Sequence, residues 1–171
     1  MTYDDVYFTP VPRAKKSMTA DIRHLTPNDL PLMDALLRTF GEAFNDVDTY
    51  TAKCPSENYL RQLLGGDSFI ALVALKSGLV VGGLAAYELK KFEQERSEIY
   101  IYDLAVASEH RREGIATALI ERLKEIAAHR KAYLIFVQAD TGIEDKPAIV
   151  LYTKLGRRED VLHFDIAVQG E

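Results

Sequence analysis

The run Glu98-Ile99-Tyr100-Ile101-Tyr102-Asp103-Leu104-Ala105-Val106-Ala107-Ser108-Glu109-His110-Arg111-Arg112-Glu113-Gly114-Ile115-Ala116 carries more of the fold than any other part of the chain. Glu98 to Val106 is rich in Ile, Tyr and Val, side chains that suit a pleated, half-buried surface, and predicts a strand. From Gly114 the apolar residues Ile115, Leu119, Leu123 and Ile126 recur on one stripe and predict a helix reaching about Arg130. A strand that feeds through a short loop into a long helix is a unit of layered α/β or α+β folds.

The helix start has its own chemistry. Gly114 has no Cβ, so backbone amides there can approach an oxygen-rich ligand closely. The first amides of a helix have no intrahelical partners, and the helix dipole adds positive potential at that end. Arg111 and Arg112 add further charge, and together these features predict an anion site suited to a pyrophosphate. Taken alone, two arginines before a helix also fit a plain solvated loop. No Walker lysine motif occurs, and Gly82-Gly83 falls inside a strand with no dinucleotide fingerprint around it.

Outward from this unit, the pattern predicts an alternation of strands and helices. Ala20 to Leu25 is a short strand candidate. Thr26 is then placed to cap a helix with Pro27 at its first position, Asp29 near its positive end, and Leu32, Leu36, Leu37 and Phe40 on its buried stripe. Ser56 to Leu64 is a second helix, stopped by Gly65-Gly66. Phe69 to Leu75 and Leu79 to Leu89 are strands joined by a tight turn at Lys76-Ser77-Gly78, and Lys90 to Ser97 is a charged loop. After the long helix, Tyr133 to Ala139 is a buried strand and Pro147 to Leu155 a helix ended by Gly156. Val161 to Val168 alternates and is expected to close the sheet. Residues 1–17, with two prolines and a basic cluster, are expected to be a flexible tail before a single domain over 18–171.

Composition narrows the class. The formal net charge of −5 argues against a general nucleic-acid binder and suits a cationic small-molecule partner. Cys54 is the only cysteine, so there is no intrachain disulfide and no cysteine metal cluster; the expectation is a metal-free protein in a reducing, cytoplasmic setting. The longest apolar runs are too short to cross a bilayer, and no membrane role is expected.

The pattern Arg111-x-x-Gly114-x-Ala116, after a strand ending Leu104-Ala105-Val106, resembles the GNAT superfamily of N-acetyltransferases. Ala148-x-x-Leu151-Tyr152-x-Lys154-Leu155-Gly156 is similar to the second acetyl-CoA motif of that superfamily. The resemblance spans roughly residues 20 to 168. It implies an α/β (α+β) GNAT fold: a mixed, mostly antiparallel sheet of about six or seven strands, splayed at strands 4 and 5 and flanked by about four helices. It implies acetyl-CoA as cofactor, with the pantetheine arm beside Leu104, Ala105 and Val106. The pyrophosphate would lie on Arg111, Arg112, Glu113, Gly114, Ile115, Ala116 and Thr117, with Ala148 and Tyr152 alongside.

A closer resemblance joins Phe92-Glu93-Gln94, Arg96 to Val106, Tyr152 to Gly156 and Val161 to Asp165, with Phe40-Gly41-Glu42-x-Phe44-x-Asp46-Val47 and Thr49-Tyr50. These strings are similar to the type I aminoglycoside 3-N-acetyltransferases, which implies a polycationic antibiotic as substrate, antibiotic resistance as outcome and a homodimer as assembly.

Acetyl transfer to an amine needs an unprotonated nucleophile, a stabilised oxyanion and a proton for the departing thiolate. Tyr152 is the candidate for the last task, although a core tyrosine on an amphipathic helix reads the same way. A backbone N–H near Leu104 is the candidate oxyanion donor. Asp103 is the candidate base. On a regular strand it would share the face of Ile99 and Ile101 and be buried unpaired, so it needs a β-bulge near position 103 to reach a cleft. Without a bulge, Glu98 or a water held by Tyr100 and Tyr102 takes the role. A polycation calls for carboxylates, so Glu42, Asp46, Glu98, Asp103, Asp140 and Asp165 are candidate substrate residues, with Tyr50 placed to cover a sugar ring and Tyr102 a further substrate contact. The rival readings are a GNAT enzyme for another amine (a polyamine, an amino acid or a protein N-terminus) and a catalytically silent acetyl-CoA-binding module.

Overall fold

In the computed structural model, which describes residues 19–168, the runs predicted as strands build one five-stranded sheet in the order β1-β2-β3-β4-β5. The expected tail over 1–17 lies outside the described residues. β1 (Asp21–His24), β2 (Phe69–Lys76), β3 (Leu79–Lys90) and β4 (Ser97–Val106) are antiparallel neighbours, and β5 (Ala132–Val137) runs parallel to β4. The β2–β3 hairpin turns on Ser77 and Gly78, both at positive φ (51° and 81°), the turn geometry that matches strand twist.

α1 (Leu30–Phe44), α2 (Val47–Thr51) and α3 (Glu57–Gly65) lie between β1 and β2; α4 (Ile115–His129) joins β4 to β5, and α5 (Lys146–Leu155) follows β5. The interior strand β2 is apolar on both faces, and its period of two sorts it into two cores. Ile70, Leu72 and Ala74 pack with Leu119 and Leu123 of α4, whereas Phe69, Ala71 and Val73 pack with Leu36 and Phe40 of α1.

Gly83 sets how closely α1 lies on the sheet. A Cβ there would stand 2.2 Å from Leu36 Cδ1 and 2.6 Å from the Leu72 carbonyl oxygen. The leucine can shift, but the neighbouring strand's carbonyl cannot. Gly83→Ala is expected to lower stability by about 1–3 kcal/mol, the usual range for overpacking. A thermal melt that falls by roughly 2–4 °C per kcal/mol is the check.

Three expectations are corrected. α1 starts at Leu30, not after Thr26, with Pro31 in its first turn. A helix begun at Pro27 would carry Pro31 in its interior, where the ring clashes with the carbonyl four residues back. Asp29 turns backwards instead and accepts from the Thr26 N–H (2.9 Å) and hydroxyl (2.7 Å). Among the described residues the α-helices number five rather than about four, because α2 is too short to show a period; its cap is Asp46, which accepts from the Thr49 N–H at 3.4 Å.

The third correction concerns Val161–Val168. Among the described residues the sheet has five strands rather than six or seven, because this segment does not join it. Leu162, Phe164 and Ile166 are 82%, 75% and 88% exposed. Alternation specifies a pleat, but it does not name the edge that receives it.

Candidate functional site

The site is organised by an irregularity in β4. Ala85 of β3 pairs with Asp103 and Ala86 with Ile101, so Tyr102 is an extra residue and forms a β-bulge. Before it, Ile99 and Ile101 face the α4 core; after it, Leu104 and Val106 pack on that side and Ala105 joins the α1 core. The bulge therefore turns Asp103 to the α1 side, away from the isoleucines. The Tyr50 hydroxyl of α2 donates to Asp103 Oδ2 at 3.2 Å.

Tyr50 is held by packing. Its ring meets Phe40 and Phe44 with centroids 6.0 and 5.9 Å away. At Gly41 a Cβ would lie 3.0 Å from Val47 Cα, so the glycine lets α2 close on the end of α1. Burial pushes the Asp103 carboxyl above its ordinary range, and the Tyr50 hydrogen bond opposes that rise. Burial, followed by the Asp103 charge, raises the Tyr50 hydroxyl as well, so it remains a donor. Asp46 and Tyr102 lie near enough to push it further in the same direction.

Beside the bulge the sheet opens. β4 and β5 pair from Ser97–Ala132 to Ile101–Val137 and then separate, leaving β4 from Tyr102 to Val106 without a strand partner on that edge among the described residues. The slot is lined by main-chain groups able to bond to an extended ligand arm. Arg111 Nε donates across its end to the Val106 carbonyl oxygen at 3.3 Å.

The slot leads to the start of α4. Arg112 (φ 65°) and Gly114 (φ 81°) both take the left-handed conformation, which curls the intervening amides into a concave nest. The first helical bond runs from the Ala118 N–H to the Gly114 carbonyl at 3.0 Å, so the amides of Ile115, Ala116 and Thr117 are free of intrahelical partners. A Cβ at Gly114 would meet nothing within 4 Å. The Glu113 carboxylate is engaged by Lys76 Nζ at 2.5 Å and by His110 Nδ1 at 3.4 Å, which removes a repulsive charge from the nest. Lys76 was missed in the sequence because it reaches the turn from the β2–β3 hairpin, 37 residues away.

Tyr152 of α5 packs against the α4-side core and lines a hollow of about 360 Å³ with Ile101 and Val137, where β4 and β5 part. Burial first, and Asp145 second, push its hydroxyl up to about 12. Ala148 lies one turn earlier on the same face of α5.

The remaining predicted acids are spread out. Glu98 accepts from the Tyr133 hydroxyl at 2.8 Å and sits 3.7 Å from Lys91 Nζ. Glu42 is exposed near the end of α1, and Asp46 caps α2. The Asp140 N–H donates to Asp145 in the loop before α5 (2.8 Å), and Asp165 lies 3.0 Å from His163 Nε2 on the exposed segment. Within one chain, neither Asp140 nor Asp165 bonds to the Tyr50–Asp103 pair. A row of rings across the α1 side was only partly anticipated: Tyr102 lies edge-on to Tyr87 (5.7 Å) and Tyr100 (5.8 Å), and Tyr100 stacks on Phe136 (4.8 Å). Tyr102 is 61% exposed, which leaves its face open to a ligand.

The family model described as "Acetyltransferase (GNAT) family" matches residues 31–156. Among solved structures, an aminoglycoside acetyltransferase from an uncultured soil metagenomic sample is 69% identical, with a TM-score of 0.88 over 89% of this chain and 100% of that one. A second soil metagenomic aminoglycoside acetyltransferase, solved in complex with sisomicin, is 31% identical, with a TM-score of 0.79 over 88% and 97% of the two chains. A probable N-acetyltransferase family 8 member 5 of Mus musculus is 30% identical over 128 residues, 75% of this chain and 55% of that protein. The chain spans about half the length of the curated mouse relatives it matches.

Proposed function

The chain belongs to the GNAT acetyltransferase family, and from that premise we propose that it transfers the acetyl group of acetyl-CoA to the 3-amino group of an aminoglycoside's 2-deoxystreptamine ring. The observation that carries this reading is the Tyr102 bulge, which sets Asp103 against Tyr50 beside the gap between β4 and β5. The 69% identity to an aminoglycoside acetyltransferase supports the acceptor class.

The residues at the turn fit the cofactor. The nest at 112–114, the free amides of 115–117 and the open space at Gly114 suit a diphosphate, and the free edge over 104–106 suits an extended amide arm. Acetyl-CoA, when bound, supplies the acetyl thioester. Asp103 takes a proton from the acceptor ammonium, freeing the nitrogen lone pair for attack. A main-chain N–H near Leu104 steadies the oxyanion. Tyr152 stays protonated at neutral pH and holds its proton for the departing thiolate. Tyr102 offers an exposed ring to a sugar, while Asp46 and Asp103 receive ammonium groups. Glu98, already facing Lys91, is the second candidate for this role.

Thiol release from acetyl-CoA, measured against a panel of aminoglycosides that includes sisomicin, tests the reading. Free CoA with at least one is expected. Turnover confined to a polyamine or peptide would move the protein to another acceptor class, and NMR of the product showing acetyl on a different nitrogen would overturn the 3-amino assignment.

The pH profile gives a further prediction. Asp103 must be ionised to act, and burial holds its pKa above 3.8, so the acid limb of kcat/KM is expected above the ordinary aspartate range. The Tyr50 hydrogen bond lowers that pKa, so Tyr50→Phe removes a lowering influence and should move the limb to higher pH. A limb that stays in place would detach Asp103 from the titration.

A further inference from the structure

We propose that Lys76 is a positioning residue for the cofactor: from the end of β2 it fastens Glu113, and through Glu113 it keeps the turn before α4 in the form that receives a diphosphate. The inference rests on the acetyl-CoA reading above and concerns a residue that lies outside the turn's own sequence.

The turn needs an outside hold. Arg112 lies at φ 65°, a left-handed conformation that is costly for a residue with a side chain and persists where the surroundings fix it. Within the turn, the His110 N–H donates to the Ala107 carbonyl oxygen at 2.9 Å and the Arg111 N–H to that of Ser108 at 3.4 Å. Both bonds stop short of Arg112.

Among the described residues, two polar ties reach this turn from beyond β4, and both come from the β2–β3 hairpin. At the start of the turn, the Ala107 N–H donates to the Val81 carbonyl oxygen at 2.9 Å. At its far end, Lys76 Nζ donates to Glu113 Oε2 at 2.5 Å. The hairpin is a firm base for both. Gly82 lets it close on β4, since a Cβ there would stand 2.9 Å from the Ala105 carbonyl oxygen. Lys76 is the last residue of β2 and pairs with Leu79, so the strand ladder rather than the hairpin tip sets its place.

The side chains match this task. Lys76 is 22% exposed, low for a residue that usually extends into water, and Glu113 is its one side-chain hydrogen-bond acceptor among the described residues. His110 Nδ1 lies 3.4 Å from Glu113 Oε1, so the carboxylate is gripped from two directions. The Lys76 hydrogen bond foremost, with His110 adding to it, holds the Glu113 carboxyl below the usual carboxylate range. Glu113 is therefore ionised at neutral pH, between the two left-handed residues that shape the nest. Left bare, that charge would oppose a diphosphate arriving at the same turn. Lys76 both fixes where Glu113 sits and offsets its charge. An ion pair near the surface adds little to global stability, so the consequence is local to cofactor binding.

Calorimetry of CoA binding to the full chain reads this without turnover. Lys76→Met is expected to weaken CoA binding by about tenfold, the scale of one uncompensated charge beside a diphosphate, and to move the melting temperature by no more than about 2–4 °C. In steady state it should raise KM for acetyl-CoA more than it lowers kcat. Glu113→Gln keeps an oxygen acceptor for Lys76 and drops the charge, so it should weaken binding less than Lys76→Met does. The double variant, Lys76→Met with Glu113→Gln, decides the route. Because Lys76 acts through Glu113, the double variant should bind CoA more tightly than Lys76→Met alone. A double variant as weak as Lys76→Met, or weaker, would show that the ammonium meets the phosphates itself and would overturn the proposal. So would a Lys76→Met protein that binds CoA as tightly as the parent. A parent that does not bind CoA would overturn the cofactor reading and this inference together, whereas the other two results leave that reading standing.

Discussion

Asp103→Asn is expected to lower kcat by about two to four orders of magnitude, the range for loss of a general base. The change is nearly isosteric, and the amide oxygen still accepts from the Tyr50 hydroxyl, so α2 should keep its position. Stability should not fall. The Asp103 carboxyl has a folded-state pKa raised above 3.8, mainly by burial. Between the unfolded and folded values the native state binds more protons, so this group withdraws stability as pH rises through that window and leaves the full penalty at neutral pH. Asparagine carries no such penalty, and its thermal melt at pH 7 should match or exceed that of the parent. Acetyl-CoA affinity, read by calorimetry, should be unchanged. Turnover within a few-fold of the parent would move the base elsewhere, with Glu98 the first alternative.

Gly114→Val is expected to weaken CoA binding by about 10²-fold or more. Two effects combine. A β-branched residue at φ 81° is strained by about 1–2 kcal/mol. The new side chain also enters the open space in front of the free amides, displacing charge-assisted hydrogen bonds worth about 1.5–3 kcal/mol each. Gly78 is the matching control. It has the same φ of 81° and equally open surroundings, but it lies at the β2–β3 hairpin tip. Gly78→Val should therefore lower the melting temperature and leave CoA affinity intact. Equal losses of affinity in the two variants would show that strain, not the anion site, controls binding.

How much of this was legible in the sequence varies from element to element. The strand and helix around Asp103 and Gly114 were readable because the strand is rich in Ile, Tyr and Val and the helix carries a period of 3.6. The bulge was readable for a different reason. Ile99 and Ile101 claim one face for the core, and a carboxylate on that face is costly enough to demand a break in the pleat. α2 carried no such signal: five residues cannot display a helical period, and its position depends on Gly41 meeting Val47. Lys76 reaches Glu113 through tertiary structure alone. The segment 161–168 was read correctly in its alternation and wrongly in its expected partner, since a pattern of side chains says nothing about which edge is vacant. Asp140 and Asp165 were chosen for charge and presumed position, and the single chain brings neither to Asp103.

The helix that carries Tyr50 has a consequence for how such a protein changes under selection. α2 is five residues long, has no buried side chain, and is fastened by its cap, the Gly41 contact and the Tyr50–Asp103 bond. Short, sparsely packed elements open at small free-energy cost. Substitutions between Asp46 and Pro55, Tyr50 apart, therefore reshape one wall of the cleft with little effect on the two cores on the sheet. A lineage that meets a new acceptor can drift along this strip without crossing its folding threshold, whereas a change at Gly83 or Ile101 draws on stability first. Libraries restricted to α2 and its flanks, with Tyr50 kept, should yield altered acceptor preference at nearly unchanged melting temperature.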